Sequence, residues 1–126
     1  VDVERLLEQS FPDAIREKYP NMMVLPNPTK EEFIKFGSTR DCIILHTLTT
    51  EAPIDTFEGL SVPTAEKMLV DIFLNPEFEF LRGSELTRIY QEVFSDFDIS
   101  RSRLLRYARR RYCEEKIQHL IDRITP

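Results

Sequence analysis

Residues 42–48, Cys42-Ile43-Ile44-Leu45-His46-Thr47-Leu48, and residues 63–73, Pro63-Thr64-Ala65-Glu66-Lys67-Met68-Leu69-Val70-Asp71-Ile72-Phe73, decide the fold between them. The first run is β-branched and almost continuously apolar, the pattern of a strand covered on both faces. The second changes to helical spacing, with Met68, Leu69, Ile72 and Phe73 read as its inward face. Between them, Glu51-Ala52-Pro53 breaks the strand. Ile54–Phe57 and residues 60–62 then flank Glu58-Gly59, which reads as a two-residue hairpin turn.

Working outward, Val3, Leu6, Leu7 and Phe11 fall at helical spacing, so residues 1–19 read as helix. Pro12 interrupts it and is expected to open a second helical piece over residues 13–18. Residues 22–25, closed by Pro26 and Pro28, read as a strand. Thr29 with Glu32 three residues on is a capping box, predicting a short helix to Phe36 that ends at Gly37. Toward the C-terminus every segment is helical: residues 65–74, ended by Asn75-Pro76, residues 84–94, a helix capped by Ser100, and a continuation or restart through Ile117, Leu120, Ile121 and Ile124. The expectation is a mixed α+β fold in one domain over residues 1–126. It has a small sheet of about four strands covered by helices, with an all-helical C-terminal half. Ile43, Leu45, Leu69, Ile72, Phe73, Leu86, Ile89, Leu105 and Leu120 are the expected core.

The chemistry-bearing residues are sparse. Gly37, Gly59 and Gly83 are isolated, which argues against a glycine-rich phosphate loop. Cys42 and His46 share a strand face but lie roughly 13 Å apart along it, too far for a nucleophile–base hydrogen bond. Neither they nor Cys113 and His119 have zinc-ligand spacing. Both cysteines read as reduced thiols of a cytoplasmic protein, since a single disulfide would require secretion. Cys42 is expected inert in the core and Cys113 the thiol open to reagents. No apolar run reaches the ~20 residues of a membrane span. Glu114-Glu115-Lys116 matches the letters of a nuclease E-x-K triplet but lies in a helical stretch. Glu66 and Asp71 diverge by about 140° on their helix, which argues against an acid–base pair. Glu66 reads as a helix-dipole partner and Asp71 as a buried or capping hydrogen-bond acceptor. No cofactor and no small-molecule substrate are expected.

Charge is distributed unevenly. The net charge is −5, yet residues 101–126 carry +5 and residues 1–100 carry −10. Arg101, Arg103, Arg106, Arg109, Arg110 and Arg111 interleave with Leu104, Leu105, Tyr107 and Ala108, so one helix face is buried and the other is cationic. Guanidinium forks suit carboxylate and phosphate alike. Three readings stay open: a solvated face paired to the acidic body, a site for an acidic protein partner, or a nucleic-acid site. The last is opposed by the overall acidity. Arg103, Arg106, Arg109 and Arg110 are the candidate partner-binding residues. Arg103, Arg106 and Arg110 are able to share one stripe.

Residues 50–53, Gly59 and the run from Pro63 to Phe73, with its E-K-x-L-x-D pattern at Glu66–Asp71, resemble the C-terminal domain of AbiEi-like abortive-infection antitoxins. Residues 83–86 and 103–111 resemble a Bacteroidetes-type branch of that group. The resemblance covers a little over half the chain and implies a bacterial, non-catalytic antitoxin in a phage-defence toxin–antitoxin module. Glu66 and Asp71 would be structural members of its motif. The implied partner is an AbiEii-like nucleotidyltransferase toxin. DNA would be bound only through an N-terminal winged helix-turn-helix domain, which cannot be fitted into residues 1–49. The alternatives are a degenerate or cryptic nuclease and a nucleic-acid module built on the arginine helix.

Overall fold

The computed structural model describes residues 1–5, 10–37 and 41–125. The architecture is mixed α+β, and the chain divides into two compact units, residues 1–48 and 49–126.

The first unit is a parallel sheet of three strands, β1 (Asp2–Val3), β2 (Met23–Pro26) and β3 (Cys42–Thr47), in the order β1-β3-β2. Val24 pairs with Ile43, and Val3 with Thr47. Helix α1 (Phe11–Lys18) carries Pro12 in its first turn, where a missing N–H costs nothing. Residues 2–3 form a strand, not the start of a helix, and Leu6 and Leu7 lie outside the described residues. After β2 the expected capping box is present. Thr29 Oγ1 accepts the Glu32 N–H at 3.1 Å, and Glu32 Oε1 accepts the Thr29 N–H at 3.3 Å. It opens α2 (Lys30–Glu32), which passes into a π-helical turn over Phe33–Gly37.

The core of this unit is small: Val3, Val24 and Leu45, with Phe11, Ile15 and Ile43 against them. β3 is central, but only Leu45 is buried; Cys42, Ile43, Ile44 and His46 are half-buried. Full cover on both faces is therefore not realised. Strand β1 is two residues long and pairs with His46 and Thr47.

The second unit begins with the hairpin of β4 (Ile54–Phe57) and β5 (Leu60–Pro63). Glu58 (φ 52°) and Gly59 (φ 79°) both take positive φ, as a tight two-residue hairpin turn requires. The hairpin pairs with itself as a separate two-stranded sheet, so the expected four-stranded sheet is instead three strands and two. Its strands are almost wholly exposed.

Four helices follow: α3 (Ala65–Leu74), α4 (Ser84–Asp96), α5 (Arg101–Arg110) and α6 (Glu114–Ile124), with a 3₁₀ turn over Pro76–Leu81. They enclose one core of Leu69, Val70, Leu86, Tyr90, Leu104, Tyr107, Ala108, Cys113, Ile117, Leu120 and Ile121. The Tyr90 hydroxyl donates to the Leu69 carbonyl at 2.6 Å, tying α4 to α3. Of the expected core residues, Leu45, Leu69, Leu86 and Leu120 are buried; Ile43, Ile72, Phe73, Ile89 and Leu105 are half-buried.

Helix α3 is rotated from the expected phase. Val70, Leu69, Lys67 and Glu66 are buried, whereas Met68 is 49% exposed. Met68 is two residues from Val70, about 160° round the helix. The rotation is possible because Glu66 and Lys67 find polar partners inside the unit, and α3 buries its charged turn instead of its methionine.

Candidate functional site

The arginine helix α5 owes both its ends to specific contacts. At its start the Ser100 hydroxyl accepts the Arg103 N–H at 3.3 Å. In a full capping box the third helical residue would return a carboxylate to the N-cap N–H. Arg103 stands there and cannot. Glu66 of α3 supplies the carboxylate, accepting the Ser100 N–H at 3.2 Å. Glu66 thus serves the N-terminus of a second helix as well as lying in the first turn of its own.

At its end, the Cys113 N–H reaches the Ala108 carbonyl at 2.9 Å and the Tyr112 N–H reaches Arg109 at 3.1 Å. These are the two bonds of a Schellman motif. The left-handed position that glycine usually fills is held by Tyr112 (φ 60°), whose side chain is almost fully exposed.

Between these ends the arginines divide. Arg111 turns inward, its Nη1 donating to Asp71 Oδ1 at 2.6 Å and its Nη2 to Asn75 Oδ1 at 2.8 Å. Asp71 also accepts Lys67 Nζ at 2.5 Å and the Tyr107 hydroxyl at 2.7 Å. One carboxylate therefore holds two cations and a phenol. Burial, then the adjacent Asp71 charge, pushes the Tyr107 phenol up to about 12. Asp71, expected to take a buried or capping hydrogen bond, is half-buried and hydrogen-bonded to three side chains. It and Glu66 engage different partners and do not converge.

Arg109 bonds twice to Glu114, at 2.8 and 3.0 Å, and those bonds hold the Glu114 carboxyl below its ordinary range. Arg110 donates to the carbonyl and hydroxyl of Thr50 and lies 3.7 Å from Glu51. Arg103 and Arg106 make no ion pair or side-chain hydrogen bond with any described residue. They line an open cleft of about 350 Å3 whose other wall is Glu51, Ala52, Pro53, Ile54 and Asp55. Arg103, Arg106 and Arg110 thus all address the segment from Thr50 to Asp55, and Arg109 points elsewhere.

Glu114-Glu115-Lys116 forms the first turn of α6. Among the described residues, no group of three or more His, Cys, Asp or Glu is placed to hold a metal ion. No helix among them is long and apolar enough to cross a membrane. Both cysteines are free thiols. Their expected order is reversed: Cys42 is half-buried at the start of β3, while Cys113 is buried and its thiol is pushed up to about 11 by that burial. Cys113 is drawn inward because the Schellman turn packs it, with Ala108, against the helical core.

Sequence reasoning missed Lys67 and Arg111. The available signal was the i,i+4 spacing of Lys67 and Asp71, which places their side chains on one face.

The chain belongs to a family described as a family of unknown function, DUF6577, whose model matches residues 1–126. No curated protein and no solved structure matches it.

Proposed function

We propose that this chain is a non-catalytic protein-interaction domain. It acts as the antitoxin that counteracts a nucleotidyltransferase toxin in a bacterial phage-defence module, in the cytoplasm. One observation carries the interaction reading. The polar side chains best suited to chemistry, Glu66, Lys67, Asp71 and Arg111, are spent on helix capping and a closed ion cluster. Arg103 and Arg106, by contrast, are left open toward a cleft. Arginine is among the residues in which binding energy concentrates at protein interfaces, and an unpaired guanidinium beside a cleft keeps its full bidentate capacity for a carboxylate. The antitoxin assignment rests on the resemblance of residues 50–73 and 83–111 to the AbiEi-like C-terminal domain.

The test is co-expression with an AbiEii-like nucleotidyltransferase toxin, the partner that the resemblance implies. Rescue of growth by the wild type, weakened by Arg103→Gln/Arg106→Gln at unchanged melting temperature, is the expected result. Toxicity unaltered by the wild-type chain would reject the reading. Nucleic-acid binding by the wild type at physiological salt, lost in the same double variant, would replace it with the nucleic-acid alternative.

A further inference from the structure

We infer that the cleft between the Glu51–Asp55 segment and α5 receives an extended acidic segment of a protein partner, with carboxylates on Arg103 and Arg106 and an apolar side chain beside Ile54. The inference deepens the interaction reading and rests on it.

The cleft is polar, about 350 Å3, and open to solvent. One wall carries two guanidiniums without partners among the described residues. The other carries Glu51 and Asp55. Such a mixed wall discriminates between polyanions. A nucleic-acid strand places a charge on every phosphate, so some phosphates would face Glu51 and Asp55 as like charges. A peptide segment sets its carboxylates only where guanidiniums meet them, and its own N–H groups are donors for Glu51 and Asp55. Ile54, 47% exposed between the two acidic residues, offers the apolar contact.

The wall is also held in place before any partner arrives. The Pro53 carbonyl accepts the Thr64 hydroxyl at 2.8 Å and its N–H at 3.3 Å. The same hydroxyl caps α3 by accepting the Lys67 N–H at 3.2 Å. Arg110, bonded to Thr50 and 3.7 Å from Glu51, braces the other end of the segment. A partner segment thus meets a wall ordered in advance, which lowers the entropic cost of binding.

The experiment is fluorescence anisotropy on the full chain with a labelled peptide of alternating Glu and Val. A Gln–Val peptide and a single-stranded oligonucleotide of equal length serve as comparison probes. The Glu–Val peptide should bind. Each of Arg103→Gln and Arg106→Gln should weaken it about tenfold, the scale of one charge-assisted hydrogen bond. Arg88→Gln, whose guanidinium is already engaged by Glu85 and Glu92 on α4, should leave binding unchanged. Reversing the wall with Arg103→Glu/Arg106→Glu should transfer binding to a Lys–Val peptide, a gain that misfolding cannot produce. Absence of Glu–Val binding, equal binding by the double Gln variant, or preference for the oligonucleotide each overturn the inference. Arginine-dependent peptide binding without toxin rescue would sink the antitoxin reading alone. Rescue without such binding would sink this inference alone.

Discussion

Asp71→Asn removes one charge and almost no volume, from the point where a buried lysine and a half-buried arginine meet. Lys67 is 2% exposed and Arg111 23%, and both bond to this carboxylate at 2.5 and 2.6 Å. With asparagine in its place, both cations would keep their charge but lose the carboxylate that lies between them. Breaking a buried ion pair by removing one partner costs about 3–5 kcal/mol, because the remaining charge is left uncompensated. The amide can still accept one hydrogen bond, and Arg111 retains Asn75 at 2.8 Å, so the lower end, about 3 kcal/mol, is expected. For a domain whose whole stability is on the order of 5–15 kcal/mol, that is a large fraction.

The assay is urea unfolding, followed by far-ultraviolet dichroism and by the near-ultraviolet tyrosine signal, since the chain has no tryptophan. Tyr90 and Tyr107 report on the second unit. Lys67→Met added to Asp71→Asn should recover part of the loss, because it removes one of the two cations that the Asp71 carboxylate balances. Lys67→Met alone should cost less than Asp71→Asn, because Asp71 keeps Arg111 and the Tyr107 hydroxyl and the apolar stem is of similar length. A loss below about 1 kcal/mol for Asp71→Asn, or no recovery in the double variant, would show that the cluster is not the electrostatic centre of α3 and α5.

Three further outcomes follow from the same contacts. Glu66→Ala leaves the Ser100 N–H without its acceptor and should lower stability by about 1–2 kcal/mol in urea unfolding, an effect that Glu66→Gln largely avoids. Tyr112→Gly relieves a left-handed tyrosine (φ 60°) and should raise stability by about 1 kcal/mol; an unchanged or lower urea midpoint counts against that strain. Alkali should destabilise the fold. Cys113 and Tyr107 keep their protons in the folded chain up to about 11 and about 12, above their ordinary values of 9.0 and 10.0. Their contribution is complete below the unfolded values and is lost as pH rises through the folded ones. Urea midpoints that stay level from about pH 8 to about pH 11 would contradict this sign.

Much of the fold is legible in the sequence because it is locally encoded. The Thr29–Glu32 capping box, the Pro12 helix start, the Glu58-Gly59 turn and the Ser100 cap each bring their own short-range hydrogen bonds or dihedral preference, and each is in place. What stays hidden depends on partners distant in sequence. Apolar periodicity misassigns the α3 face because it counts Met68 as inward and Lys67 as outward. Among the described residues, Asp71, itself held by Tyr107 and Arg111, compensates the buried Lys67 charge. Residues 2–3 read as helix because the pairing of so short a strand is invisible until β3 lies beside it. At the site, the unusual arginine density is plain, but not its division. Which guanidinium turns inward is set by Asp71 and Asn75, 40 and 36 residues away.

The most direct test of the proposal that the open arginines of α5 bind a protein partner is titration calorimetry of the purified chain with a purified AbiEii-like nucleotidyltransferase, the partner proposed above. Saturable binding by the wild type is expected. Arg103→Gln/Arg106→Gln should bind about a hundredfold more weakly, the effect of removing two charge-assisted hydrogen bonds. Arg109→Gln should bind like the wild type, since Arg109 is already bonded to Glu114. No binding by the wild type, or equal affinity for the double variant, would contradict it.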